Sequence, residues 1–174
     1  RPWVHIIGLG EDGVSGLSDA SRAALATAEI VFGGPRHLAL AAVGDRGRAW
    51  PVPFSVAPVL ACRGKTVAVL ASGDPFWFGA GGSLAGHLEP AEWQVYPAPS
   101  TFQRAAAQLG WRMEEITCHG LHAAPFARLR PVLTKGARAI CLLRDGEAPK
   151  ALAHWLVAQG FTADLVVMEA LGGP

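Results

Sequence analysis

The 174-residue sequence is poor in cysteine, in charge and in long apolar runs. Its three cysteines, Cys62, Cys118 and Cys141, lack CxxC spacing, so they indicate neither a disulfide framework nor a zinc site. No apolar run approaches the roughly 18 residues that span a bilayer, and residues 1–3 do not open a signal peptide. We therefore expect a cytoplasmic protein with no membrane partner. The formal net charge of +1 gives no field that would attract nucleic acid.

The composition is that of a folded protein with a sizeable core. Hydrophobic residues make up 51% of the chain and charged residues 17%, and the length suits one domain or two small lobes. Of the 15 basic residues, twelve are arginines, whose planar guanidinium binds carboxylates two bonds at a time, so a polyanionic ligand is permitted. A GC-rich genome would produce the same bias.

Short apolar runs alternate with helical stretches along the chain. Strands are predicted at residues 3–7, 29–32, 66–70, 93–96, 116–122, 137–143 and 164–170. Ser18 is the best N-cap of the first long helix, and residues 148–159 form an amphipathic helix. Strands separated by helices form parallel sheets, so the pattern predicts an α/β fold.

The most informative stretch is ASGDPFWFGAGG at residues 71–82, directly after the buried strand 66–70. Gly73, Asp74 and Pro75 force a turn where the strand ends, which is the edge at which open sheets bind ligands. The three aromatic residues that follow offer flat apolar surface. The stretch is either a binding loop or an ordinary strand–turn–helix junction whose aromatics are core.

A glycine motif, GLGEDG at residues 8–13, follows the first strand and matches the dinucleotide fingerprint letter for letter. Its context does not match, because the first helix begins only after Ser18 and the second strand ends in Gly33-Gly34 rather than an acid. A dinucleotide-binding oxidoreductase domain therefore stays a competing interpretation. The loop faces the same sheet edge as Asp74.

Two other features have more than one interpretation. Ser100 or Thr101 caps a helix that Gly110 ends, and a capped helix start either binds a ligand or is only a cap. His37 beside Arg36 either meets an anionic ligand or lies in a solvated helix start. His119 and His122 lack a third ligand at motif spacing, so we predict no metal site.

Three stretches, in this order and at this spacing, resemble the tetrapyrrole methylases, which are S-adenosylmethionine-dependent enzymes of sirohaem and cobalamin synthesis. They are GLGEDG at 8–13, SGDPFWFG at 72–79 and PAPSTFQ at 97–103. Residues 100–110 and the CHG at 118–120 are most similar to the amino-terminal methylase part of the precorrin-6Y branch. The resemblance covers nearly the whole chain.

The resemblance implies two α/β lobes, 1–97 and 98–174, with mixed sheets, a cofactor cleft between them and a homodimer. It implies methyl transfer from S-adenosylmethionine to a precorrin macrocycle at carbons 5 and 15, the amino-terminal half being associated with carbon 5. Another tetrapyrrole position remains an alternative. The substrate would lie over Gly8, Gly10 and Gly13. The implied cofactor contacts are Ser72, Gly73, Asp74, Trp77, Ser100, Thr101, Leu143 and Ala170.

The chain departs from the family pattern in two places. Glu11 stands where many members carry proline, and the sequence ends before the family's last strands and before the carboxyl-terminal partner domain for the second methylation and decarboxylation. The chain is then either active alone or a binding half that needs its partner. A sulfonium methyl needs alignment more than a nucleophile, and a base for the displaced proton would be Asp74, Glu11, His119 or His122.

Overall fold

The computed structural model describes residues 1–173, which form two compact units. The first unit contains Arg1–Thr101 together with the segment from Ala170 on, and the second contains Phe102–Glu169. No helix formed by these residues is both long and apolar enough to span a bilayer.

The first unit is built on a five-stranded sheet with the strand order β3-β2-β4-β1-β5. All four pairings in this sheet are parallel. The strands are β1 Val4–Leu9, β2 Ile30–Gly33, β3 Gly47–Ala49, β4 Val67–Ser72 and β5 Trp93–Tyr96. The helices are α1 Asp19–Thr27, α2 Pro35–Ala41, α3 Ala57–Leu60 and α4 Ala80–Ala85, with α5 Thr101–Leu109 beginning at the end of this unit. The α/β class predicted from the alternation is confirmed.

The central strands are buried on both faces, as their unbroken apolar sequence requires. On one face, Ile7 and Leu70 belong to a core cluster that also contains Leu25 of α1. On the other face, Val69 packs in a second cluster with Leu84 of α4. Side chains from helices therefore cover both faces, which leaves the strand ends as the accessible part of the sheet.

The start of α1 confirms the prediction made from its capping residue. Ser18 has extended backbone geometry, and its Oγ accepts a hydrogen bond from the Ser21 N–H at 3.1 Å. Between β1 and this helix lies a 3-10 turn at Gly13–Gly16. A dinucleotide site requires an α-helix that begins at its glycine motif, and no α-helix begins at this motif.

The second unit contains most of α5, a parallel pair of strands and a final helix. The strands are β6 Thr117–Gly120 and β7 Ala139–Leu142, and the helix is α6 Ala148–Ala158. Leu152 and Leu156 of α6 pack with Leu121 and Leu129 in a core cluster, so the amphipathic face predicted for α6 is the one that is buried.

Two expectations about the strands were wrong. Every strand pair among the described residues is parallel, whereas mixed sheets were expected. The segment 164–170 belongs to no strand, and Leu165, Val166 and Val167 are 42%, 66% and 68% exposed. An apolar run forms a strand only where a partner offers hydrogen bonds, and no neighbouring strand within the described part of the chain does so for this segment.

Candidate functional site

The candidate site lies at the carboxyl edge of the five-stranded sheet in the first unit. Because all strands of this sheet are parallel, the loops that follow β1, β2, β4 and β5 leave from the same edge. These loops and the residues next to them include the GLGEDG motif, Arg36-His37 at the start of α2, the Gly73-Asp74 turn and residues 97–100. The topology therefore brings together stretches that are up to about ninety residues apart in the sequence.

A hydrogen bond between two of these loops passes directly over Gly8. The Ala98 N–H donates to the Gly73 carbonyl at 3.2 Å, and the Gly73 N–H donates to the Leu9 carbonyl at 3.1 Å. A Cβ at residue 8 would lie 1.9 Å from the Gly73 oxygen and 2.7 Å from the Ala98 nitrogen. Gly8 is therefore required by the meeting of the loops after β4 and β5, whether or not a substrate also contacts it.

Gly73 is held between the same loops. Its φ is +56°, a left-handed conformation that glycine adopts without strain. A Cβ at this residue would lie 2.8 Å from the Ser100 Cα and 3.0 Å from the Pro99 oxygen. The turn after β4 and the segment before α5 thus touch through their main chains. Ser100 itself is 5% exposed, whereas Thr101 is exposed.

Asp74 organises its own turn. Its Oδ1 accepts a hydrogen bond from the Phe76 N–H at 2.9 Å, and its carbonyl accepts from the Trp77 N–H at 3.1 Å. The following carbonyl, that of Pro75, accepts from the Gly81 N–H at 2.9 Å. One oxygen of the carboxylate is therefore used in the fold, and any role in ligand binding is additional to that.

The aromatic residues of this turn have different surroundings. Phe76 packs on Trp93 of β5, with the ring centroids 5.4 Å apart, so the core interpretation holds for part of this ring. Trp77 is half-buried. Phe78 is 58% exposed and has a φ of +56°, which bulky L-residues rarely adopt. Because such backbone strain clusters at ligand-binding loops, Phe78 joins the candidate residues. Its geometry could not be read from the sequence.

A serine–histidine pair connects two neighbouring strands at this edge. The Ser72 Oγ lies 2.9 Å from the His37 Nε2, because β2 and β4 are adjacent and both end here. Ser72 is exposed and His37 is half-buried. Burial, together with the nearby Arg36 charge, lowers the pKa of His37, and Glu11 partly opposes that shift. His37 is thus a neutral imidazole at pH 7.

The loop after β1 carries a charged pair beside this histidine. Glu11 of the glycine motif forms an ion pair with Arg36 of α2. The end of the chain reaches the same loop, since a Cβ at Gly173 would lie 3.2 Å from the Glu11 Cβ and 3.1 Å from the Ala170 oxygen. Ala170, predicted from the resemblance as a cofactor contact, therefore lies near Glu11.

The remaining glycines of the motif have structural roles of their own. Gly13 has a φ of +62°, and its N–H donates to the Gly10 carbonyl at 3.0 Å. A Cβ on Gly13 would lie 3.1 Å from the Leu40 oxygen of α2. Gly10 is half-buried. The sequence does not distinguish a glycine that admits a ligand from one that admits another loop.

Three predicted residues, His119, His122 and Leu143, belong to the second unit, and His122 is exposed. The His119 Nε2 lies 2.8 Å from the Thr117 Oγ1 on the same strand, and burial lowers the pKa of this histidine. Leu143 is half-buried against the core cluster of that unit. Among residues 1–173, no group of three or more histidine, cysteine or acidic side chains is arranged to hold a metal ion.

These features define a class of protein: an α/β protein that presents a glycine loop, an acidic turn and the start of helix α5 at one edge of an open parallel sheet. Comparison with known proteins narrows that class. Residues 4–174 match the family described as Tetrapyrrole (Corrin/Porphyrin) Methylases. The chain belongs to this family.

Curated relatives agree with this assignment. The chain is 47% identical over 177 residues to the precorrin-6Y C(5,15)-methyltransferase [decarboxylating] of Sinorhizobium sp, covering 99% of this chain and 43% of that protein. It is 29% identical over 171 residues to the cobalt-precorrin-7 C(5)-methyltransferase of Salmonella typhimurium (strain LT2), covering 94% of this chain and 82% of that protein. The chain thus spans less than half the length of the first relative and most of the second.

Solved structures show the same fold. The cobalamin biosynthesis precorrin-6Y methylase from Archaeoglobus fulgidus superposes with a TM-score of 0.63 at 27% identity, covering 80% of this chain and 72% of that one. The methyltransferase CobJ gives a TM-score of 0.68 at 20% identity, covering 91% of this chain and 77% of that one, and supports the fold alone.

Proposed function

We propose that this chain transfers a methyl group from S-adenosylmethionine to carbon 5 of a precorrin macrocycle in cobalamin biosynthesis. The substrate is a reduced tetrapyrrole of the precorrin-6Y or precorrin-6B type. A sibling reaction, methylation at another tetrapyrrole position, is the alternative that the same fold supports.

The observation behind this proposal is the methylation position that the names of two relatives have in common. One relative is named for methylation at carbons 5 and 15 and for decarboxylation, and the chain covers 43% of it. The other is named for methylation at carbon 5 alone, and the chain covers 82% of it. Carbon 5 is the position common to both names, so we assign that position to the part of the molecule that this chain represents.

The residues at the sheet edge suit a sulfonium donor with an amino-acid end and a ribose. S-adenosylmethionine supplies an electrophilic methyl group when bound. The exposed Ser72 hydroxyl and the Asp74 carboxylate are acceptors for ammonium and hydroxyl groups. The face of Phe78, 58% exposed, attracts a cation. Their contribution is to hold donor and acceptor in line, an effect that reaches roughly 7–11 kcal/mol in well-oriented systems.

The contacts proposed for the donor in the first unit combine main-chain groups with few side chains. Gly73 and Ser100 contribute main-chain atoms, because the turn at Gly73 leaves no room for a side chain. Asp74 contributes its carboxylate. Leu143 of the second unit and the substrate contacts at Gly8, Gly10 and Gly13 remain predictions. The other proposed contacts in the first unit are Ser72, Trp77, Thr101 and Ala170.

The test is methyl transfer with a labelled donor. Full-length protein and this chain are each incubated with a precorrin substrate and S-adenosylmethionine carrying a ¹³C methyl group, and the product is located by NMR. We expect the label at carbon 5 from both proteins. Label at carbon 15 alone, or at another position, would contradict the carbon assignment. Transfer by the full protein but not by this chain would show that the chain is a binding half that needs its partner.

A binding experiment separates the methyltransferase from an oxidoreductase domain. S-adenosylhomocysteine and NADH are titrated separately by calorimetry. We expect binding of the homocysteine compound and none of NADH, because no α-helix starts at the glycine motif. Tight NADH binding with no response to S-adenosylhomocysteine would end the methyltransferase proposal.

We also propose a homodimer, a cytoplasmic location and a carboxyl-terminal partner domain for the second methylation and the decarboxylation. The name of the Sinorhizobium relative, of which this chain covers 43%, includes methylation at carbon 15 and decarboxylation. Light scattering of the purified protein measures the assembly. A monomer at working concentration would contradict the homodimer.

A further inference from the structure

The pair formed by His37 and Ser72 has a chemistry that the donor contacts do not use. The Ser72 hydroxyl is exposed at the end of β4, next to the turn proposed to hold the donor, and its Oγ lies 2.9 Å from the His37 Nε2. His37 is half-buried behind it. A hydroxyl that faces the ligand side and a basic nitrogen behind it form a route for a proton.

Methylation of a macrocycle carbon requires such a route. When the carbon replaces a proton by a methyl group, the proton must leave the substrate. Of the bases suggested by the sequence, Asp74 already uses one carboxylate oxygen in its turn, and Glu11 is paired with Arg36. His119 and His122 belong to the second unit, and the His119 Nε2 lies 2.8 Å from the Thr117 Oγ1.

We propose that Ser72 and His37 relay the proton displaced in the methyl transfer, with His37 as its final acceptor. This inference rests on the proposed function. Ser72, one of the proposed donor contacts, is also the group that touches the substrate, and His37 acts through it.

The proton moves through Ser72 once the carbon–methyl bond has formed. The electron pair of the macrocycle carbon forms the new bond to the methyl group, and the carbon–sulfur bond breaks with its electrons remaining on sulfur. The cationic product gives its proton to the Ser72 Oγ, while the hydroxyl proton of Ser72 moves to the His37 Nε2. Ser72 ends neutral and His37 ends as imidazolium. The relay starts from the tautomer of His37 that carries its proton on Nδ1.

The surroundings of His37 suit an acceptor. Burial and the Arg36 charge lower its pKa, which favours the neutral ring, the form that can accept a proton. Glu11, from the loop after β1, is the acidic group that faces it and stabilises the imidazolium once it forms. Arg36 on the same helix is paired with Glu11, which limits its repulsion of that imidazolium.

The test compares His37→Gln and Ser72→Ala with the wild type in the full-length protein. Glutamine still hydrogen-bonds to Ser72 but takes up no proton, so a purely structural role would be retained. We expect kcat to fall by about 10²- to 10⁴-fold in His37→Gln. In the wild type, kcat/KM is expected to fall at acid pH, below pH 6.5. We expect this acid limb of the pH profile to disappear in His37→Gln. Ser72→Ala is expected to show the same loss of the acid limb.

A matched control and a binding measurement complete the experiment. His87→Gln changes an exposed histidine whose Nδ1 lies 2.9 Å from the Ser83 carbonyl oxygen. It is expected to keep the wild-type rate and profile. S-adenosylhomocysteine affinity in His37→Gln is expected to stay within about twofold of the wild type. A His37→Gln protein that keeps both rate and acid limb overturns the relay while methyl transfer stands. So does a Ser72→Ala protein that keeps them. A wild type that neither binds S-adenosylhomocysteine nor transfers methyl overturns the proposed function as well.

Discussion

Replacing Gly8 by alanine tests whether the loops after β4 and β5 meet where the structure has them. The new Cβ would lie 1.9 Å from the Gly73 oxygen, about 1.5 Å closer than ordinary contact, so main-chain atoms rather than a flexible side chain must move. Overpacking of this kind costs roughly 1–3 kcal/mol, and loss of the hydrogen bond from Ala98 to Gly73 adds about 0.5–1.5 kcal/mol. We expect Gly8→Ala to lower the free energy of unfolding by about 2–4 kcal/mol.

Urea denaturation followed by circular dichroism measures this change, with Gly82→Ala as the control. Gly82 lies within α4, and a Cβ there would meet nothing within 4 Å. Alanine should therefore stabilise α4 by up to about 1 kcal/mol. A Gly8→Ala protein as stable as the wild type would refute the packing of these loops. If the loops also hold the donor, the folded Gly8→Ala protein should bind S-adenosylhomocysteine more weakly, whereas Gly82→Ala should bind it normally.

Three further predictions concern single side chains of the first unit. Asp74→Asn keeps an acceptor for the Phe76 N–H but loses the negative charge. Its stability should be unchanged, while calorimetry should show roughly 10- to 100-fold weaker binding of S-adenosylhomocysteine. Unchanged affinity would remove Asp74 from the site. Ser18→Ala removes the acceptor of the Ser21 N–H and should cost about 1 kcal/mol in urea denaturation, and no loss would contradict the cap. The lowered pKa of His37 means that the unfolded chain binds more protons below pH 6.5, so stability should fall as pH drops through that range. The fall should be smaller in His37→Gln, and an equal fall in both proteins would contradict the shift.

The strands of the fold could be predicted because their signal is local. Each apolar run of the first unit became a strand within a few residues of the predicted bounds, and the Ser18 cap fixed the start of α1. The segment 164–170 has the same kind of sequence but belongs to no strand, since pairing depends on a neighbour that the run itself does not specify. Strand propensity alone therefore identifies an apolar run but not the strand with which the run pairs.

The site could be predicted only in part. The resemblance implied that Asp74 and Ser100 contact the same cofactor, and Gly73 does lie against Ser100, because β4 and β5 end at the same edge of the sheet. The pairing of His37 with Ser72 depends on β2 and β4 being neighbours, and strand order is not a local property of the sequence. The need for glycine at residue 8 could not be predicted from the sequence, because the main-chain atoms that approach it belong to Gly73 and Ala98.

The close contacts of Gly73 make valine a poor substitution for testing donor binding alone. A valine there would meet the Ser100 main chain and would need a strained φ of +56°. Gly73→Val is thus expected to destabilise the fold as well as to weaken donor binding. Asp74→Asn is the cleaner probe of the turn.

The proposed function requires that the converging loops at the carboxyl edge of the sheet bind the methyl donor. A crystal structure of the protein with S-adenosylhomocysteine tests it directly. We predict that the bound molecule contacts the turn at Asp74 and the segment at Ser100 together. A molecule bound elsewhere, with neither of these residues within hydrogen-bonding distance, would contradict the account.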